Sequence, residues 1–169
     1  FGIRSISRGV PPVPSTDPHV FPEARAALDR LLASLDAEAP GLASGIHLVG
    51  SIALGDGRPG QSDIDLVLVR SAGFANPETA AALATASAAL RAHPAPIVDA
   101  LVIDAAEIAA GPGGIEADRP GIQQGQPGRG EGGLGNPVTW ATLRQCGITY
   151  RGDLDRDRLW HDPATLAGW

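Results

Sequence analysis

The segment HLVGSIALGDGRPGQSDIDLVLV, residues 47–69, decides how this 169-residue chain is interpreted. Two apolar runs are separated by a turn that is rich in Gly, Pro and polar residues. The first run ends in Gly50 and Ser51, and the second begins with Asp63 and Asp65. Turns use Gly, Ser and Asp freely. Two acids placed two residues apart at the start of an apolar run need a further explanation.

Asp63 and Asp65 have the spacing of side chains that share one face of a strand. Residues i and i+2 lie about 7 Å apart along a strand and point the same way. Two carboxylates held in this way repel each other unless a cation lies between them. Mg²⁺ prefers such hard oxygen ligands and commonly takes one or two protein carboxylates. The pair therefore predicts a metal site at the edge of a sheet.

Gly50, Ser51 and Asp99 extend this predicted site. A strand that ends in Gly permits close approach of the backbone, and a helical turn from Ser51 would direct free N–H groups and a hydroxyl at an anion. Asp99 is an acid within the third apolar run, 96–103. If that strand pairs beside 64–70, Asp99 could face the other acids. It could then bind a second metal or accept a proton from an attacking hydroxyl.

Strands and helices alternate along the chain, which favours an α/β (α+β) fold with a short mixed sheet flanked by helices. Apolar periodicity predicts helices over 22–38 and 76–93. A capping-box spacing begins a short helix or turn at 104–107, and an Asn-Pro start predicts a helix over 136–147. The predicted strands are 45–50, 64–70, 96–103 and, as a short strand or extended piece, 148–152.

Composition divides the chain into four parts. Residues 1–21 form a Pro-rich leader that we expect to be flexible, and 22–110 form the principal domain. Residues 111–135 contain ten Gly and three Pro, which predicts a long flexible loop, because such a segment buries too little side chain to offset its ordering entropy. Residues 136–169 are expected to be the start of a truncated C-terminal segment.

Charge and cysteine content limit the class of partner. The net charge is −6 and there is no basic run, which argues against binding through nucleic-acid backbone phosphates. It does not argue against a small anion held through a metal. The single cysteine, Cys146, excludes an internal disulfide. No apolar run reaches the roughly 18 residues of a membrane span, and no signal peptide is evident, so we expect a cytoplasmic protein with no membrane partner.

The spacing of these motifs resembles a known signature. Gly50 and Ser51, then eleven residues, then Asp63 and Asp65 are similar to the motif of the nucleotidyltransferase superfamily that includes DNA polymerase beta. The fuller string GSIALGD…SDIDLVLV resembles the branch of aminoglycoside adenylyltransferases and bacterial minimal nucleotidyltransferases. The resemblance covers residues 22–104 and implies a nucleotidyltransferase fold.

The resemblance also implies roles for individual residues. Gly50 and Ser51 would engage the phosphates of ATP or another nucleoside triphosphate. Asp63 and Asp65 would bind Mg²⁺ or Mn²⁺. Asp99 would be the third acid of the catalytic set, where the antibiotic-modifying members often carry Glu. Whether this shorter side chain is a metal ligand or a general base stays open.

The function that the resemblance implies is magnesium-dependent transfer of a nucleoside monophosphate to a hydroxyl-bearing acceptor, with release of pyrophosphate. A small-molecule acceptor such as an aminoglycoside is favoured. One alternative is an antitoxin-type minimal nucleotidyltransferase that modifies a partner protein. Another is a non-catalytic nucleotide-binding remnant. The sequence names neither the acceptor nor the preferred base.

Overall fold

A computed structural model describes residues 17–94, 96–130 and 132–169. Within that part the strands are β1 (Ala43–Val49), β2 (Ile64–Arg70), β3 (Val98–Asp104), β4 (Pro120–Gln123), β5 (Gln126–Arg129) and β6 (Ile148–Arg151). They form one sheet in the order β5-β4-β3-β2-β1-β6. The neighbours β2 and β3 are parallel, and the other neighbouring strands are antiparallel. The mixed sheet predicted from the alternation of elements is confirmed.

The α-helices are α1 (Pro22–Glu38), α2 (Gly50–Ala53), α3 (Asn76–Arg91), α4 (Ala105–Ala110), α5 (Pro137–Cys146) and α6 (Pro163–Leu166). Helix α5 begins as its sequence predicts, because the Asn136 side chain accepts hydrogen bonds from the backbone N–H groups of Val138 and Thr139, at 2.9 and 3.1 Å. The predicted helices are confirmed to within a few residues at their ends. In the described part of the chain, no helix is long and apolar enough to cross a membrane.

The two faces of the sheet contact different helices. On one face, Leu66 and Leu68 of β2 pack in a core with α1 and α3. On the other face, Val67 and Val69 pack with the fully buried Trp140 of α5. Because side chains alternate along a strand, the position of Asp65 places its side chain on the same face as Val67.

The prediction of a flexible loop over 111–135 is wrong for residues 120–129, which form the β4–β5 hairpin. Strand β4 joins the sheet through Ile122, which pairs with Ala100 of β3. A Cβ atom at Gly121 would lie 2.9 Å from the carbonyl oxygen of Ala100. Glycine therefore permits close strand approach here, where composition alone suggested flexibility.

A buried arginine anchors the base of this hairpin. Arg119 is 2% exposed and donates two hydrogen bonds of 2.8 Å to the carboxylate of Glu107. It also donates to the carbonyl oxygen of Val102 at 3.1 Å. Helix α4 and strand β3 are thereby joined to the start of β4.

The outer boundaries of the domain also differ from those predicted. Residues 1–16 of the predicted leader lie outside the described residues. Val20 and Phe21 are buried in the core beside α1, so the folded domain includes residues before 22. The segment that begins at 136 is part of the same domain, because β6 pairs with β1.

Polar contacts join β6 to α1. The Tyr150 hydroxyl donates to Asp29 at 2.6 Å. The guanidinium of Arg151 donates to both oxygens of Asp36, at 2.7 and 2.6 Å. The prediction that a C-terminal segment beyond the principal domain starts at 136 is therefore wrong for residues 136–151.

Replacement of Arg119 tests the anchoring of the hairpin. Arg119→Ala leaves Glu107 without its bidentate partner, and breaking a buried ion pair in this way costs about 3–5 kcal/mol. Urea unfolding should show a loss of this order. The matched control is Arg129→Ala, an exposed residue on the same hairpin, which should change stability by less than about 0.5 kcal/mol. Equal effects of the two substitutions would contradict the anchoring role.

Candidate active site

The end of β1 lies beside the start of β2, because Val49 pairs with Asp65. The chain turns at Gly50, whose φ of 64° favours glycine. A Cβ atom at this position would lie 3.0 Å from the Cβ and Cγ atoms of Asp65 and still closer to its Oδ2. The backbone of Gly50 therefore lies directly against the carboxylate. The helical turn predicted from Ser51 is confirmed as α2.

Asp65 and Asp99 are direct neighbours in register across the parallel strands β2 and β3. Adjacent strands are separated by about 4.8 Å. The alternation of both strands places the two side chains on one face, since Val67 and Leu101, two residues further along each strand, share the cluster beneath α5. Both aspartates line a cavity of about 340 Å³. The structure brings these two predicted site residues together.

The electrostatics of Asp65 reflect this crowding. Its pKa is raised from 3.8 to about 6, first by burial, then by the charge of Asp99 and then by that of Asp63. Ionised Asp65 therefore interacts with both other predicted acids. A bound cation would offset the repulsion among the three carboxylates.

Asp63 lies just before β2 and borders a different cavity. This second cavity has a volume of about 470 Å³ and is lined by residues that include Ser62, Asp63, Pro96 and Ile97. The three predicted acids thus border two cavities, with Asp63 at one and the Asp65–Asp99 pair at the other.

Asp99 has a partner that sequence reasoning missed. The backbone N–H of Gln124 donates to Oδ1 of Asp99, and the Gln124 side-chain amide donates to Oδ2 at 3.4 Å. Gln124 lies in the β4–β5 turn, within the segment predicted to be a flexible loop. Only the recognition of that turn as a hairpin could have indicated this contact.

Asp104, the other acid of β3, lies at the far end of the strand. Its carboxylate accepts hydrogen bonds from Arg70 at 2.8 and 3.1 Å, and this bonding holds its pKa below the usual value. It also caps α4 in a capping box with Glu107. Asp104 is therefore a structural residue, and it does not join the three acids.

The carboxylate oxygens of these acids suit a hard cation that binds few protein ligands. Across residues 17–94, 96–130 and 132–169, no three His, Cys, Asp or Glu side chains converge as a metal-binding cluster. The site instead offers Asp65, whose charge interacts with those of both Asp99 and Asp63. Mg²⁺ typically uses one or two protein carboxylates and completes its shell with water and phosphate oxygens. These acids fit that requirement.

Comparison with known proteins identifies a family and a solved structure with a similar fold. A family model described as a nucleotidyltransferase domain matches residues 28–113. The crystal structure of spectinomycin adenyltransferase AAD(9) from Enterococcus faecialis with ATP and spectinomycin is similar, with a TM-score of 0.53 and 13% identity. The alignment covers 82% of this chain and 60% of that chain. No curated protein matches.

At this level of identity the structural likeness concerns the fold, and the chain spans 60% of the length of the adenyltransferase. The family match is the stronger finding, because it covers half of the chain and includes Gly50, Ser51, Asp63, Asp65 and Asp99. The chain belongs to the nucleotidyltransferase domain family.

Proposed function

We propose that this protein transfers a nucleoside monophosphate from ATP or another nucleoside triphosphate to a hydroxyl acceptor, with Mg²⁺ or Mn²⁺, and releases pyrophosphate. The observation that carries the proposal is the register pairing of Asp65 with Asp99 on one face, against the backbone of Gly50. The raised pKa of Asp65 supports the proposal, because a bound cation would stabilise the ionised form of a half-buried carboxylate that lies beside other acids.

Asp63 and Asp65 would hold the metal. Bound Mg²⁺ would polarise the α-phosphate and neutralise the charge that develops on it. Gly50 and Ser51 would bind the outer phosphates, since the absence of a side chain at Gly50 lets backbone and ligand approach the acids closely. The rigid strand β2 positions Asp65, because its apolar neighbours are fully buried.

Asp99 would serve either as a further metal ligand or as the base that accepts the proton of the acceptor hydroxyl. It lines the same cavity as Asp65, so an acceptor hydroxyl placed there would lie near both carboxylates. In either role Asp99 is needed for transfer more than for binding of the triphosphate.

A small, neutral or cationic hydroxylated molecule is the acceptor that the site favours. No basic side chain in the described part of the chain lines either cavity beside the acids. The similar adenyltransferase was crystallised with spectinomycin, which makes spectinomycin the first acceptor to test. If no small molecule accepts the nucleotide, the remaining alternatives are transfer to a partner protein and a non-catalytic nucleotide-binding role.

Triphosphate binding should require a divalent cation, because Asp65 and its neighbouring acids repel phosphate when no cation is present. Calorimetric titration with ATP should give binding with Mg²⁺ or Mn²⁺ and none in EDTA. Equal affinity in the two conditions would remove the basis of the metal-site proposal.

Asp63→Asn should abolish most transfer while preserving the fold. It keeps the side-chain shape and removes one ligand charge, and metal catalysis is worth several kcal/mol, so we expect a loss of at least about a hundredfold in rate. The assay is pyrophosphate release from ATP, first with spectinomycin, then with other aminocyclitols and with water. The matched control, Asp56→Asn, changes an exposed acid of the same loop and should leave the rate unchanged. A fully active Asp63→Asn would falsify its role.

Asp65→Asn should stabilise the metal-free protein at neutral pH. The folded-state pKa lies above the unfolded value, so ionised Asp65 destabilises the fold as pH rises from about 4 through about 6. After allowance for solvent screening, we expect a gain of about 1–2 kcal/mol at pH 7 and almost none at pH 4. Urea unfolding in EDTA measures this difference. A variant that is less stable than wild type at pH 7 would show that Asp65 is a structural residue.

A further inference from the structure

The turn between β4 and β5 carries an unusual residue. Gln124 and Gly125 form the two-residue connection, with φ values of 51° and 71°, as in hairpin turns that need positive φ at both central positions. Gln124 is the only non-glycine residue with positive φ in the part of the chain that the structure describes. Such a backbone conformation costs a residue with a side chain about 1–2 kcal/mol, so a Gln here needs a reason.

The contacts of Gln124 supply that reason. Its backbone N–H and its side-chain amide both donate to the carboxylate of Asp99, one to each oxygen. Residues in strained conformations persist where their surroundings hold them, and they cluster at functional sites. The strained residue of this hairpin meets the third acid of the candidate active site.

The turn is held in place from both sides of its tip. The backbone N–H of Gly125 donates to the carbonyl oxygen of Val98 at 3.2 Å. Arg91 of α3 donates to the carbonyl oxygen of Gly125 at 3.1 Å. The base of the hairpin is anchored by Arg119, as described above. The two donors to Asp99 therefore come from a fixed element of the fold.

The carboxylate needs such donors because Asp65 is its register neighbour. Two like charges on one face repel, and without compensation Asp99 would rotate away from the pair. Two amide donors offset part of its negative charge but leave lone pairs on each oxygen. Asp99 can then stay beside Asp65 and still bind a cation or accept a proton.

We propose that Gln124 is a positioning residue, which fixes the carboxylate of Asp99 beside Asp65 for the transfer step. The inference rests on the proposed function, since it concerns the orientation of an acid in that same site. Gln124 also lines the cavity that Asp65 and Asp99 share, so it holds the acid without blocking that face of the sheet.

The first experiment measures the contact without any substrate. Gln124→Glu keeps the side-chain shape but sets a carboxylate against Asp99, so the urea midpoint at pH 7 in EDTA should fall. Adding Asp99→Asn should restore it, because the repulsion is removed. The matched control is Gln126→Glu, which adds the same charge to an exposed position of the same hairpin and should give no such restoration. An equal response of the two Glu variants to Asp99→Asn overturns the proposed contact.

The second experiment separates positioning from a purely structural role. Gln124→Gly adopts the turn conformation without strain, so its unfolding midpoint should equal or exceed that of wild type. Its kcat for pyrophosphate release from Mg²⁺ and ATP, with spectinomycin as acceptor, should nevertheless fall about three- to tenfold, because the side-chain donor to Asp99 is lost while the backbone N–H remains. The KM for ATP should stay within about threefold of wild type.

The outcomes distinguish this inference from the proposed function. If the wild type catalyses transfer and Gln124→Gly has the same kcat, the positioning role is overturned and the proposed function stands. A fall in kcat that only accompanies a lower unfolding midpoint also overturns it, because the effect is then structural. A wild-type protein that transfers to no acceptor in the earlier screen overturns the proposed function, and this inference with it.

Discussion

The parallel pairing of β2 with β3 is the constraint on which the rest of the site depends. It places Asp65 and Asp99 side by side on one face, while the antiparallel return of β1 brings the backbone of Gly50 against Asp65. The apolar cores on both faces hold these strands rigidly, so the backbones that carry the two acids cannot move apart. Burial raises the pKa of Asp65 most, and the charge of Asp99 raises it further. A bound cation would offset both effects.

The two acids of β3, Asp99 and Asp104, accept hydrogen bonds from different kinds of donor. Asp104 is paired with Arg70 and has a lowered pKa, so its charge is already neutralised within the fold. Asp99, at the other end of the strand, accepts hydrogen bonds from uncharged amide groups of Gln124. Its charge therefore remains available to a ligand. Within β3, arginine therefore contacts the acid that stabilises structure, and amide groups contact the acid that faces the cavity.

Much of the fold could be predicted from sequence, because long periodic segments such as 22–38 and 64–70 have strong patterns. The spacing of Gly50, Ser51, Asp63 and Asp65 also indicated the family. The β4–β5 hairpin could not be predicted from the sequence. Gly121 allows close contact with β3 where composition suggested flexibility, and the turn has Gln124 at a position where Asn or Gly is usual. Nor does the pattern reveal that Arg119 is buried or that Gln124 reaches Asp99, because both depend on long-range contacts.

The position of the bound metal tests the proposed site most directly. Crystals grown with Mn²⁺ and a non-hydrolysable ATP analogue allow anomalous diffraction to locate the ion independently of any assumed site. We expect a peak within coordination distance of Asp63 and Asp65, with the triphosphate near the backbone of Gly50. A bound nucleotide whose Mn²⁺ lies away from these carboxylates would contradict it.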